Sequence, residues 1–208
     1  MKTLYKPIKN LLSQDFIEFI TSSSLQKINQ STSFDRAFID DQVTEAYSLL
    51  SSKYFLYREL LHFFKKRIEH ESNLKLNPTY SYSRIYLSGA NLKRHIDRPA
   101  CEISMSLTLK YKYNNKNYKW PLCMGETPLV IESGDGVIYK GREIQHWRPL
   151  FTEPDGSWHH QAFFHYVNKD GPCKNLKEEV DEESISFNDK EQKRIEEARE
   201  QAQKNIPV

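Results

Sequence analysis

An α+β fold built on a double-stranded β-helix, or jelly roll, is the class this 208-residue sequence predicts. Three observations predict it. Many short apolar runs separated by turn residues fill the middle of the chain. Apolar residues at helical spacing precede them. A strongly charged stretch with few apolar positions follows them. The chain therefore divides into an N-terminal helical support region (1–77), a double-stranded β-helix core (78–168) and a charged C-terminal extension (169–208).

The N-terminal region reads as three helices. Ser13 is placed to cap the first, which carries Phe16, Phe19 and Ile20 on one side. Val43, Ala46, Tyr47 and Leu50 recur at three and four and predict the second. The third spans about 54 to 70, with Leu60, Phe64 and Ile68 as its stripe, supported by Leu61 and Phe55. Such stripes are expected to pack on the outside of a sheet. Pro78 marks the change to strand chemistry. Tyr80, Tyr82, Arg84 and Tyr86 then alternate with smaller or apolar residues. In the next strand Glu102, Ser104, Ser106 and Thr108 share one face, and Ile103, Met105, Leu107 and Leu109 the other. Residues 114–117 read as a hairpin turn. Short strands are expected at 128–131 and 137–139, divided by Gly134-Asp135-Gly136, and the last strand at 161–167. Residues 188–204 favour a solvated helix that Asn188 is placed to cap.

A net charge of +2 with scattered lysines and arginines argues against a dedicated nucleic-acid binder. Three cysteines without a C-x-x-C pair argue against a disulfide framework or a structural zinc site. No apolar stretch approaches a membrane span, and the first residues lack a secretory signal. A reducing, cytoplasmic location is the expectation.

The chemistry concentrates at His95, Asp97 and His146. The first two stand in LKRHIDRPACEIS; the third ends GDGVIYKGREIQH. In H-x-D both side chains can leave the end of one strand on the same side and reach one ion. A third ligand then comes from a distant strand folded beside it. Two imidazoles and one carboxylate occupy one face of an iron(II) ion and leave the opposite face open.

The order of these features resembles the prolyl-hydroxylase-like branch of the Fe(II)/2-oxoglutarate-dependent dioxygenases. The resemblance rests on RIYLSGANLKRHID, the alternating run 102–109, GDGVIY before His146, and QAFFHYV after it. It covers roughly residues 78 to 168. It implies iron(II) held by His95, Asp97 and His146, with 2-oxoglutarate (2OG) and O2 as cosubstrates. It also implies release of succinate and CO2 and a hydroxylated product. Tyr86 matches the family tyrosine before H-x-D, so its phenol is expected to hydrogen-bond the cosubstrate; burial as plain core is the alternative. The family usually anchors the far carboxylate of 2OG with Arg or Lys about ten residues after the distal His. This chain departs there: residues 154–161 read PDGSWHHQ.

Arg148 is the expected replacement. Two residues past His146, it shares that residue's face, about 6 to 7 Å along the strand. Lys110 is the second choice. Gln161, or His160 if the parity runs the other way, is expected at the deep end, with Ser106 and Thr108 adding hydroxyls. Arg98 is placed to orient Asp97, bind substrate or pair with Glu102. His159 and His160 point opposite ways in a strand and make poor joint ligands. Three functions compete: hydroxylation of a peptidyl proline or other protein side chain, hydroxylation of a free amino acid or small metabolite, and a non-catalytic jelly-roll binding module. A zinc hydrolase on the same ligands lacks a well-placed general base.

Overall fold

The structure is a computed structural model and describes residues 3–30, 43–50, 54–176 and 178. Its frame is a single β-sheet that curls back on itself, with two helices on one outer face. In chain order the elements are β1 (Tyr5–Ile8), α1 (Gln14–Gln30), β2 (Val43–Leu50), α2 (Phe55–Ser72) and β3 (Leu76–His95). Then come β4 (Ile103–Lys112), β5 (Leu122–Met124), β6 (Thr127–Leu129), β7 (Gly136–Tyr139), β8 (His146–Arg148) and β9 (Trp158–Asn168). The strands run in the order β1-β7-β4-β9-β3-β8-β5-β6, with β2 beside β3.

β3 makes the sheet curl. Its first part pairs with β9 as far as Leu87, and its last part pairs with β8 from Leu92 onward. Gly89 lies between the two, at φ +82°, where a side chain would be strained. One strand thus contributes to two facing walls, which is how a jelly roll encloses an interior.

The helices cover the wall made by β4, β9 and the first part of β3. Ile20 of α1 and Leu61, Phe64 and Ile68 of α2 meet Met105, Leu107 and Phe164 in the main core. Phe64 and Phe164 have their ring centroids 5.0 Å apart. Beneath the helices Tyr57 Oη lies 2.7 Å from Ser24 Oγ and 3.0 Å from His160 Nε2. His160 is therefore an outward-facing residue held beneath the helices, and Gln161 takes the inward face. Ser13 caps α1 as expected, its Oγ accepting the Phe16 N–H at 3.4 Å.

Several expectations need correction. Residues 43–50 form a strand, not a helix. A break in the β2–β3 pairing between Thr44 and Ala46 centres on Glu45, at φ 53°. That irregularity puts Val43 and Ala46 against one cluster while Leu49 faces the other, so the apolar spacing mimics three-and-four periodicity. In α1 the buried stripe is Ile17, Ile20, Thr21, Ser24 and Ile28, and Phe19 is exposed. Phe55 at the start of α2 is exposed as well. Residues 114–117 are not a hairpin: β4 pairs with β7 and β9, whereas β5 pairs with β6 and β8. The charged helix expected at 188–204 lies outside the described residues. Among the described residues, no helix is long and apolar enough to cross a membrane.

Candidate metal centre

The curl of β3 brings the end of that strand beside the start of β8, where His95 and His146 are register partners. Asp97 follows two residues after His95 in the loop leaving β3, and its N–H donates to Gly141 O at 2.8 Å. One donor atom from each of the three lies within 4.8 Å of the others. Asp97 Oδ1 is 3.8 Å from His95 Nε2 and 3.5 Å from His146 Nε2. Three donors at right angles and about 2.1 Å from one ion stand about 3 Å apart. Those two separations must close by roughly 0.5 to 0.8 Å to meet that geometry.

The hydrogen bonds around the three residues fit a metal. His95 Nδ1 is 2.8 Å from Lys93 O and His146 Nδ1 is 3.2 Å from Ile144 O. A carbonyl accepts only from a protonated nitrogen, so each Nε2 carries the lone pair, and both face the same carboxylate oxygen. The other oxygen, Asp97 Oδ2, accepts from Ser104 Oγ at 3.1 Å. Ser104 Oγ is also 2.9 Å from His165 Nδ1. Burial, assisted by His146, pushes the His95 pKa down and favours the neutral imidazole. For Asp97, burial opposes ionisation, but the neighbouring imidazoles, His146 foremost, outweigh it and hold the carboxyl below its usual range. Neutral imidazoles and an ionised carboxylate are the forms that bind a metal.

These residues open onto an interior cavity of about 210 Å³. One wall is a ladder from the inner face of β3, Tyr80, Tyr82 and Arg84, and Ser106, Phe163 and His165 face it from β4 and β9. Tyr80 and Tyr82 stack at 6.0 Å, with the Arg98 guanidinium 4.4 Å over the first ring and that of Arg84 5.0 Å over the second. Leu92 and Leu122 add apolar surface. Ile96, 55% exposed, and Arg98 stand at the rim.

Tyr86, Arg148 and Gln161 point into the interior but do not line this cavity. Arg148 is buried, donates to Trp120 O at 2.8 Å and to Gln161 Oε1 at 3.0 Å, and lies 4.5 Å over the Trp120 ring. Gln161 also accepts from Thr108 Oγ1 at 3.0 Å and donates to Ser106 Oγ at 2.8 Å. Tyr86 packs edge-on to Trp120 at 5.0 Å, and its hydroxyl is buried without a hydrogen-bond partner among the described residues. Lys110 stays out of the interior. A register shift between Thr108 and Lys110 turns it to the outer face, where it pairs with Glu18 of α1. Sequence reasoning assigned no role to Arg84, Gly141 or His165. For Arg84 the signal was present: a charged residue among inward-facing tyrosines.

Compared with known proteins, the chain matches no family model and no curated protein sequence. Its structure is similar to that of the viral collagen prolyl hydroxylase vCPH from Paramecium Bursaria Chlorella virus-1, solved as a 2OG complex. The identity is 10%, the match covers 79% of this chain and 96% of that one, and the TM-score is 0.58. HygX from Streptomyces hygroscopicus, with nickel, 2-oxoglutarate and hygromycin B bound, matches at 10% identity. That match covers 86% and 92% of the two chains, with a TM-score of 0.59. A Pseudomonas putida prolyl-4-hydroxylase matches at 14% identity over 79% and 93%, with a TM-score of 0.58. At these identities the likeness is one of fold.

Proposed function

We propose that this chain is an iron(II)- and 2OG-dependent dioxygenase that hydroxylates a peptidyl proline or another protein side chain. One observation carries the reading. Two imidazole Nε2 atoms, each left as an acceptor by a backbone hydrogen bond on Nδ1, face one carboxylate oxygen at the wall of an interior cavity. That donor set is the facial triad of non-haem iron oxygenases. The shared fold supports the same reading.

His95 and His146 would hold iron through Nε2 and Asp97 through Oδ1. Iron with 2OG and O2 supplies oxidative decarboxylation to succinate and CO2, coupled to hydroxylation of a substrate C–H bond. The chain does the positioning. Ser104 ties down Asp97 Oδ2, so Oδ1 keeps its aim. The Tyr139 ring, 4.8 Å from that of His146, restricts the second imidazole. Leu92, Leu122 and Phe163 supply the apolar part of the cavity wall. The rim at Ile96 and Arg98 is where a substrate side chain enters. Likeness to two prolyl hydroxylases supports a protein substrate. Likeness to an enzyme holding hygromycin B supports the second reading, a free amino acid or other small molecule.

The test is O2 uptake with succinate release, first without any substrate and then with prolyl peptides. Slow turnover that needs both iron(II) and 2OG is expected. A protein that binds both and releases no succinate is a binding module, and the proposal fails.

A further inference from the structure

We infer that Arg84 is the cation that holds the far carboxylate of 2OG; the assignment rests on the function proposed above. A carboxylate carried deep into a protein interior must be matched by a buried cation, because burial of an unpaired charge is costly. Among the described residues, two guanidinium groups line the cavity, those of Arg84 and Arg98. Arg98 is exposed at the rim, where water screens it; Arg84 is 6% exposed. Arg148 is buried as well, but it lies outside the cavity lining.

Depth agrees with this choice. On the inner face Tyr80 is in register with His165, Tyr82 with Phe163 and Arg84 with Gln161. His165 and its partner Ser104 form the row next to Asp97. The Arg84 side chain folds back over the Tyr82 ring, 5.0 Å from its centroid. That sets the guanidinium about one inward-facing residue, roughly 6 to 7 Å, beyond the metal-side row. A five-carbon diacid chelating a metal through its keto-acid end places its other carboxylate at about that depth. Ser48 Oγ accepts from Arg84 Nε at 3.2 Å and, with Tyr82, braces the group in advance. A planar guanidinium offers a carboxylate two parallel hydrogen bonds.

The test compares 2OG with 2-oxopentanoate, which keeps the chelating end and the carbon chain but has a methyl group in place of the far carboxylate. Binding of each acid to the iron(II)-loaded protein is measured by anaerobic calorimetry, with no turnover involved. Wild type should prefer 2OG. In Arg84→Gln, 2OG should bind about 10- to 100-fold more weakly while 2-oxopentanoate is little changed. Arg84→Lys, which keeps the charge and spares the fold, should lose part of the preference. A full preference for 2OG in both variants, or its loss in Arg148→Gln alone, overturns the assignment while leaving the proposed function standing. Failure of wild type to bind either acid overturns both.

Discussion

Replacing Gly141 with alanine should damage the candidate metal site without replacing any of its three candidate ligands. A Cβ there would fall inside the contact envelopes of Asp97 Oδ2 and the Cys101 carbonyl oxygen, and 2.9 Å from Asp97 Cβ. Carbon atoms in good contact stand about 3.5 to 4.0 Å apart, so the Asp97 side chain must retreat by roughly 0.6 Å or more. Metal–ligand distances tolerate about 0.2 Å, a third of that movement. Because Gly141 O also accepts the Asp97 N–H, the loop can relax only by giving up that bond. The expected result is a loss of metal affinity of about 10- to 100-fold. The expected cost in stability is about 1–3 kcal/mol. Calorimetric titration with Mn(II) or Fe(II), alongside urea unfolding of the metal-free protein, measures the two separately. A folded Gly141→Ala protein with wild-type metal affinity would show that Asp97 does not need this position.

Three further outcomes are expected. Ser104→Ala removes the donor to Asp97 Oδ2 and should weaken metal binding about tenfold with little change in unfolding, read by the same titration. Metal-free protein should lose stability as pH falls below about 6.5. Burial depresses His160 to about 3 and His165 to about 4, so the unfolded chain takes up protons that the folded chain refuses. At pH 5 each contributes about 2 kcal/mol of lost stability, and His159, depressed by burial and by Arg148, adds to it with the same sign. Equal urea midpoints at pH 7 and pH 5 would contradict that account. Tyr57→Phe strips the hydroxyl shared by Ser24 and His160 beneath the helices and should cost about 1–3 kcal/mol in urea unfolding; a neutral result would mean those groups find other partners.

The grouping of His95, Asp97 and His146 was legible because its logic is local. H-x-D at a strand end sets two donors side by side, and the turn and strand before His146 deliver the third. The core strands were legible where alternation is clean, as at Ser104, Ser106 and Thr108 against Met105, Leu107 and Leu109. Irregularities hid the rest. The break at Glu45 disguised a strand as a helix, and the register shift before Lys110 sent that residue to the outer face. Spacing from His146 led to Arg148, which does face inward, but spacing cannot reveal that its donors serve Trp120 and Gln161. Gly141 matters through a contact made across the chain with Asp97, and no local pattern marks such a position.

The most direct measurement adds iron(II) and then 2OG to the protein without oxygen and records the visible spectrum. A weak charge-transfer band that saturates at one equivalent per chain, and that is missing in Asp97→Ala, is the expected result. No band in wild type at saturating 2OG, or an undiminished band in Asp97→Ala, would contradict a metal held by His95, Asp97 and His146.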